Sequence, residues 1–143
     1  MEIQGGNIVS QIKRLGDRIF ERILAEKNID AFNGAQGRIL YVLWQEELIS
    51  LKVLSDRTGL APTTLTSMID RMEASGLVCR TLDSRDRRKT LLALTDKARR
   101  LQQDYLEVSE RMTGIFYAGF TDDEVLQSEE TLTRIYENLK RYN

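Results

Sequence analysis

Apolar side chains recur at spacings of three and four from Ile8 through Ile12, Leu15, Ile19 and Ile23. That repeat lines one face of a helix and predicts a first helix ending near Asn28. Asn33 and Gln36 stand three apart and form a capping pair for a second helix. In it Ile39, Leu40, Val42, Leu43 and Trp44 leave little polar surface, which predicts a place at the centre of the core. Ser50 is placed to cap a short helix over 51–58, and Gly59 can take the left-handed conformation that stops it. Pro62 follows where a first helical turn tolerates proline, and Leu65, Met68, Ile69 and Met72 mark a buried stripe before Gly76 ends that helix. Two short helices joined by a tight glycine turn make a helix-turn-helix.

Beyond Gly76 the pattern changes. Leu77, Val78 and Cys79 lead into a charged run from Asp83 to Lys89, then into Thr90-Leu91-Leu92-Ala93-Leu94. This predicts a two-stranded hairpin with a charged tip. Thr95 can cap one long helix over 95–118, with Ala98, Leu101, Tyr105, Val108, Met112 and Ile115 forming a heptad seam. Thr121 and Glu124 form a capping box for a last helix, whose Val125, Leu132, Tyr136 and Leu139 face one way. The stripes Ile8, Ile12, Leu15, Ile19 and Leu132, Tyr136, Leu139 exceed what a chain of this size covers by itself, so the terminal helices are expected to pair two copies.

Composition narrows the chemistry. The 143 residues are 41% hydrophobic and 30% charged, ordinary for one globular unit. No apolar run is long enough to span a bilayer, and no basic segment precedes an apolar one at the start, so a cytoplasmic protein without membrane contact is expected. The single Cys79 cannot form an internal disulfide. Histidine is absent, so the usual zinc sites and histidine-based acid–base and nucleophilic chemistry lack their parts. The expectation is no metal, no cofactor and no enzyme activity. The net charge of −1 conceals a sharp division: residues 52–100 hold eleven basic and six acidic groups, whereas residues 101–143 hold four and nine. A basic middle with an acidic end suits a partner that is itself an anion.

The basic middle has the parts of a nucleic-acid reader. Thr63, Thr64, Thr66, Ser67 and Arg71 fall on or near the polar face of the second helix of the helix-turn-helix, where hydroxyls can meet bases or phosphates. Arg85, Arg87, Arg88 and Lys89 crowd the hairpin tip, and arginine suits a narrow minor groove. Asp83 and Asp86 are read as structural, pairing with neighbouring arginines to hold the tip's shape. Cys79, beside Arg80 at the hairpin base, is either a structural cysteine or an oxidant-sensitive thiol.

The run Gly76-Leu77-Val78, the tip Asp83-Ser84-Arg85-Asp86-Arg87-Arg88 and Leu94-Thr95-Asp96-Lys97-Ala98 resemble the MarR family of bacterial transcriptional regulators, as do Leu54 to Leu60 and Ile69-Asp70-Arg71-Met72-Glu73. One departure is Ala61, at a helix-opening position often held by serine. The resemblance implies a mainly α fold with a small β hairpin: a winged helix-turn-helix with N- and C-terminal dimerisation helices. On that frame 1–143 is one unit, 33–98 the DNA-binding lobe, 95–118 a long connecting helix, and 1–28 and 119–143 the dimerisation helices. It further implies a homodimeric, ligand-responsive repressor on a palindromic duplex, with Arg87 first and Arg85 second in the minor groove and Arg88 paired with Asp83. A small phenolic or anionic effector is expected, with Tyr41, Trp44 and Tyr105 as candidate lining residues. The alternative is an interaction module that uses the same fold to bind protein; a salt-dependent affinity for duplex DNA separates the two.

Overall fold

A computed structural model describes residues 1–143. In chain order it has α1 (Gly5–Glu26), α2 (Gly34–Gln45), β1 (Ile49–Ser50), α3 (Leu51–Thr58), α4 (Pro62–Ala74), β2 (Val78–Leu82), β3 (Thr90–Leu94), α5 (Asp96–Arg100), α6 (Gln102–Phe116) and α7 (Asp122–Lys140). The chain divides into two compact units, residues 1–109 and 110–143.

Local chemistry sets most boundaries in the first unit. Asn33 Oδ1 accepts the amide of Gln36 at 2.8 Å, and the Gln36 side chain accepts the amide of Asn33 at 3.1 Å, closing a reciprocal cap on α2. Ser50 caps α3 through the amide of Val53, and Gly59, at φ +72°, ends it. Helix α4 opens on Ala61 and Pro62 with no side-chain cap. Leu65, Met68, Ile69 and Met72 are buried on one side of it, against a core that also takes in Ile39, Leu40, Leu43, Leu54, Leu77, Leu92 and Val108. A buried leucine of this kind contributes about 2 kcal/mol relative to exposure.

Two elements differ from the expectations above. The hairpin is two-thirds of a three-stranded antiparallel sheet, order β1-β3-β2, in which Ile49 and Ser50 pair with Leu92 and Leu91. Strand β3 carries the buried Leu92, and its backbone groups on the outer side need partners; β1 and the Leu48 amide, which donates to the Leu92 carbonyl at 2.8 Å, provide them. Leu48 reaches that position at φ +59°, a left-handed conformation that costs a leucine about 1 kcal/mol.

The single helix expected over 95–118 is interrupted at Leu101. Trp44 Nε1 donates to the Ala98 carbonyl at 3.0 Å, and the Leu101 amide bonds that same oxygen at 3.1 Å. In an uninterrupted helix this carbonyl belongs to the amide of residue 102. With the indole on it, the turn tightens to a three-residue step and α6 starts afresh. Tyr105, one turn later, packs among Phe20, Phe32, Tyr41 and Trp44 at centroid distances of 5.3 to 6.1 Å. Gly37 admits it: a β-carbon there would lie 2.9 Å from the Tyr105 ring.

In the second unit, Thr121 and Glu124 close the expected capping box on α7. Phe116, Tyr117 and Phe120 stack edge to face, and the Tyr117 hydroxyl donates to Glu129 at 2.9 Å. Helix α7 buries none of its 19 residues. No helix of the protein is long and apolar enough to cross a membrane.

The end of β3 is held by Glu47, which accepts the Leu94 amide at 2.8 Å and pairs with Arg99 at 2.9 Å. Partial burial works against its ionisation, but the bonds from Arg99 and Leu94 outweigh this and hold the carboxyl below its ordinary 4.5. Glu47→Gln is expected to lower stability at pH 7 by about 1 kcal/mol, the modest end for a charged hydrogen bond because the side chain is partly in water. A group with a lowered folded-state value gives its full stabilisation above its unfolded value and loses it on acidification. The gap between the two proteins in urea melts should therefore be full above about pH 5 and close as pH falls through the carboxylate range.

Candidate nucleic-acid interface

Helix α4 presents Thr63, Thr64, Thr66, Ser67 and Arg71 to solvent, opposite its buried stripe. Thr66 Oγ1 donates back to the Pro62 carbonyl at 2.9 Å, so its proton is committed within the helix. The hydroxyls of Thr63, Thr64 and Ser67 and the guanidinium of Arg71 carry no such bond.

The wing tip closes as a tight loop. The Asp83 amide donates to the Lys89 carbonyl at 3.0 Å and the Lys89 amide to the Asp86 carbonyl at 2.9 Å. Asp83 Oδ1 accepts the Arg85 amide at 2.9 Å, while Asp86 Oδ1 accepts both the Arg88 amide at 3.0 Å and Arg88 Nε at 3.1 Å. The resemblance implied a pairing of Arg88 with Asp83; the ion pair is instead Arg88 with Asp86. The reason is local: the Asp83 carboxylate is taken by a backbone amide, and the turn carries Arg88 over the residue two before it. Of the two aspartates expected to pair with neighbouring arginines, Asp86 does so, whereas the Asp83 carboxylate holds only the backbone amide of Arg85. The Arg88 hydrogen bonds hold the Asp86 carboxyl below its ordinary value, against a small opposing effect of burial. Arg85, Arg87 and Lys89 are exposed; the guanidinium groups of Arg85 and Arg87 are unpaired, whereas the Lys89 ammonium acts through its charge on Asp86.

Cys79 is exposed on β2. The guanidinium of its neighbour Arg80 is taken up by Asp70 and Glu73 of α4, at 2.5 and 2.7 Å. Sequence reading had missed this link, although acidic residues three apart on α4 facing a lone arginine on the next strand are its signature.

The three effector candidates separate. Tyr41 is 42% exposed and lines an open cleft of about 620 Å³ with Arg38, Val42, Gln45, Glu46 and Arg57. Trp44 and Tyr105 do not line it: the Trp44 indole N–H is bonded to Ala98, and Tyr105 is half-buried among four other rings. Burial raises the Tyr105 hydroxyl above its ordinary 10.0. Arg38 and Arg57, absent from the sequence-based candidates, line the same cleft, and Arg57 pairs with Glu46 at 2.6 Å.

Apolar side chains stand in water on both terminal helices. On α1, Ile8, Ile12 and Leu15 are exposed and Ile19 half-buried; on α7, Leu132, Tyr136 and Leu139 are exposed, with Leu126 and Ile135 beside them.

Residues 32–90 match the model of the MarR family. The chain is 31% identical over 114 residues to the HTH-type transcriptional regulator FarR of Neisseria gonorrhoeae, a match covering 79% of this chain and 71% of that protein. The chain belongs to the MarR family. Members are DNA-binding transcriptional regulators, not enzymes. A stronger but shorter match, 45% over 67 residues, joins this MarR-family chain to the HTH-type transcriptional regulator TtmR of Methylorubrum extorquens (strain PA1). It covers 47% of the chain and only 34% of TtmR. Among solved structures, CouR from Rhodococcus jostii RHA1 bound to p-coumaroyl-CoA superposes with a TM-score of 0.78 at 27% identity, covering 91% of this chain and 90% of CouR.

The Asp86–Arg88 contact has a direct spectroscopic test. In a carboxyl ¹³C titration Asp86 should titrate below its ordinary 3.8, and Arg88→Ala should bring its midpoint back up towards that value. An unchanged midpoint in the variant would mean that the side-chain bond is not formed in solution.

Proposed function

We propose that this MarR-family regulator is a homodimeric repressor that lays α4 in the major groove of a palindromic operator and reaches into the flanking minor groove with its wing tip. The carrying observation is the division of labour among the tip cations. Arg88 is tied to Asp86 and shapes the loop, while Arg85 and Arg87 project unpaired from it. A free guanidinium on a stiffened loop suits the focused potential of a narrow minor groove, with Arg87 the first choice and Arg85 the second. On α4, Thr63, Thr64, Ser67 and Arg71 supply hydroxyl and cationic donors; Thr66, already bonded to Pro62, contributes by contact more than by donation.

The exposed stripes of α1 and α7 support pairing with a second copy, since a 19-residue amphipathic helix with no buried residue is not stable in water without a partner. A two-fold protein in turn asks for two half-sites about one helical turn apart. The open cleft at Tyr41 suits a small aromatic anion, with Arg38 as the charge partner and the phenol ring as a stacking face. The CouR structure, with its p-coumaroyl-CoA, supports an aromatic effector for this chain as well.

Sedimentation equilibrium at micromolar concentration should find a dimer, and charged substitutions at Ile12 or Leu132 should split or unfold it. A well-folded monomer would rule the pairing out.

Arg87→Ala should leave folding and dimerisation intact and weaken binding to duplexes recovered from a random pool. The loss should be greatest, about tenfold, where the flanks are rich in A and T. Titrations at fixed salt against flanks of different composition provide the check. Equal losses on every flank would reduce the tip to a backbone contact, and no loss at all would remove it from the interface.

A further inference from the structure

The wing leaves the core early. Val78 is buried at the start of β2, but Cys79, Thr81 and Leu82 are exposed and Arg80 is half-buried. On β3 only Leu92 and Leu94 are buried, both towards its far end. Apolar packing therefore anchors the base of the wing and leaves the direction of its outer half to other forces.

A single side chain supplies a polar tie from β2 to α4. Arg80 Nη2 donates to Asp70 Oδ1 at 2.5 Å, Nη1 donates to Glu73 Oε1 at 2.7 Å, and the Arg80 amide donates to Glu73 Oε2 at 3.3 Å. Asp70 and Glu73 lie three apart and so share one side of the helix. A planar guanidinium that holds two carboxylates on one helix face fixes an orientation as well as a distance, which an ammonium does not. Its side chain is only 27% exposed, which limits the freedom of water to loosen the pair. The same helix carries Ser67 and Arg71, and the same strand leads within five residues to Arg85.

We propose that Arg80 is the positioning residue that sets the direction of the wing tip relative to α4, so that the tip enters the minor groove in step with α4 in the major groove. The proposal rests on the reading of DNA by wing and helix argued above. Arg80 needs no contact with DNA to do this. It acts through the placement of Arg87, and its loss should be felt as a loss of what Arg87 contributes. A competing account is that Arg80 merely offsets part of the negative charge of two carboxylates on the helix nearest the phosphates, and this has a different signature.

The experiment is a double-mutant cycle on the full chain at fixed salt, using palindromic duplexes from a random-pool selection with A/T-rich or G/C-rich flanks. Arg80→Met should weaken binding to the A/T-flanked duplex about tenfold and erase most of the flank preference. In the Arg87→Ala background it should add less than about twofold, because both changes remove one contact. The neutral triple variant Asp70→Asn/Glu73→Gln/Arg80→Met should keep the defect, since it leaves no uncompensated carboxylate on the helix but does not restore the tie. Arg80→Lys, able to hold one carboxylate at a time, should recover part of the flank preference and carries the cycle if Arg80→Met melts early.

Independent, multiplying losses from Arg80→Met and Arg87→Ala would overturn the proposal, as would wild-type binding by the triple variant. An Arg87→Ala defect with no Arg80→Met defect sinks the role of Arg80 alone. No Arg87→Ala defect on any flank sinks the wing reading and this inference with it.

Discussion

Where β3 ends and α5 begins, the backbone needs partners, and the winged lobe depends on what meets that need. The Leu94 amide goes to the Glu47 carboxylate, Thr95 Oγ1 donates to the Gly76 carbonyl at 2.6 Å and accepts the Ala98 amide, and the Ala98 carbonyl takes the Trp44 indole. Within five residues, one stretch of chain is thus bonded to the end of α2, to the turn after α4 and to itself. Hydrophobic burial holds α2, α3 and α4 together, but it is non-directional. These bonds give the wing its place on that core, because they fail unless α2, the α4 turn and β3 are all in position.

The charges follow the same logic of tied and untied groups. A net charge of −1 would seem poor for binding a polyanion. Much of the acid in the winged lobe is already in use: Asp70 and Glu73 on Arg80, Asp86 on Arg88, Glu47 and Asp96 on Arg99. What remains unpaired on the tip and on the outer face of α4 is basic. Net charge is the wrong quantity for such a surface; the positions of unpaired cations set the field that a duplex meets.

Sequence reading succeeded where the cause is local. The caps at Asn33, Ser50, Thr95 and Thr121 and the left-handed glycines at 59 and 76 each depend on a few neighbouring residues. It failed where the cause lies far along the chain. Strand β1 is two residues long and exists only through pairing with residues some forty positions later. The break at Leu101 is made by an indole 54 residues away from the carbonyl it occupies. The partner of Arg88 was misplaced for the opposite reason: the conformation of a four-residue turn decides between two nearby aspartates, and spacing alone does not. Among the candidate residues, the exposure of the α4 hydroxyls was readable from periodicity and that of the tip cations from the charge run, whereas Arg38 and Arg57 come together only once α3 packs beside α2.

Trp44 is the chain's only tryptophan, and its surroundings make it an optical probe of the lobe. Its indole N–H is bonded to the carbonyl at which α5 gives way to α6, its ring lies 5.3 Å from Tyr105, and Tyr41 lies 5.8 Å from the same Tyr105 ring. Excitation absorbed by either tyrosine passes readily to an indole at such distances. The emission of the unlabelled protein therefore reports on that junction: opening it exposes the indole to water and shifts its fluorescence to the red, while a molecule stacked on Tyr41 alters the energy that reaches it. The lobe carries its own fluorophore at the point where its elements are joined.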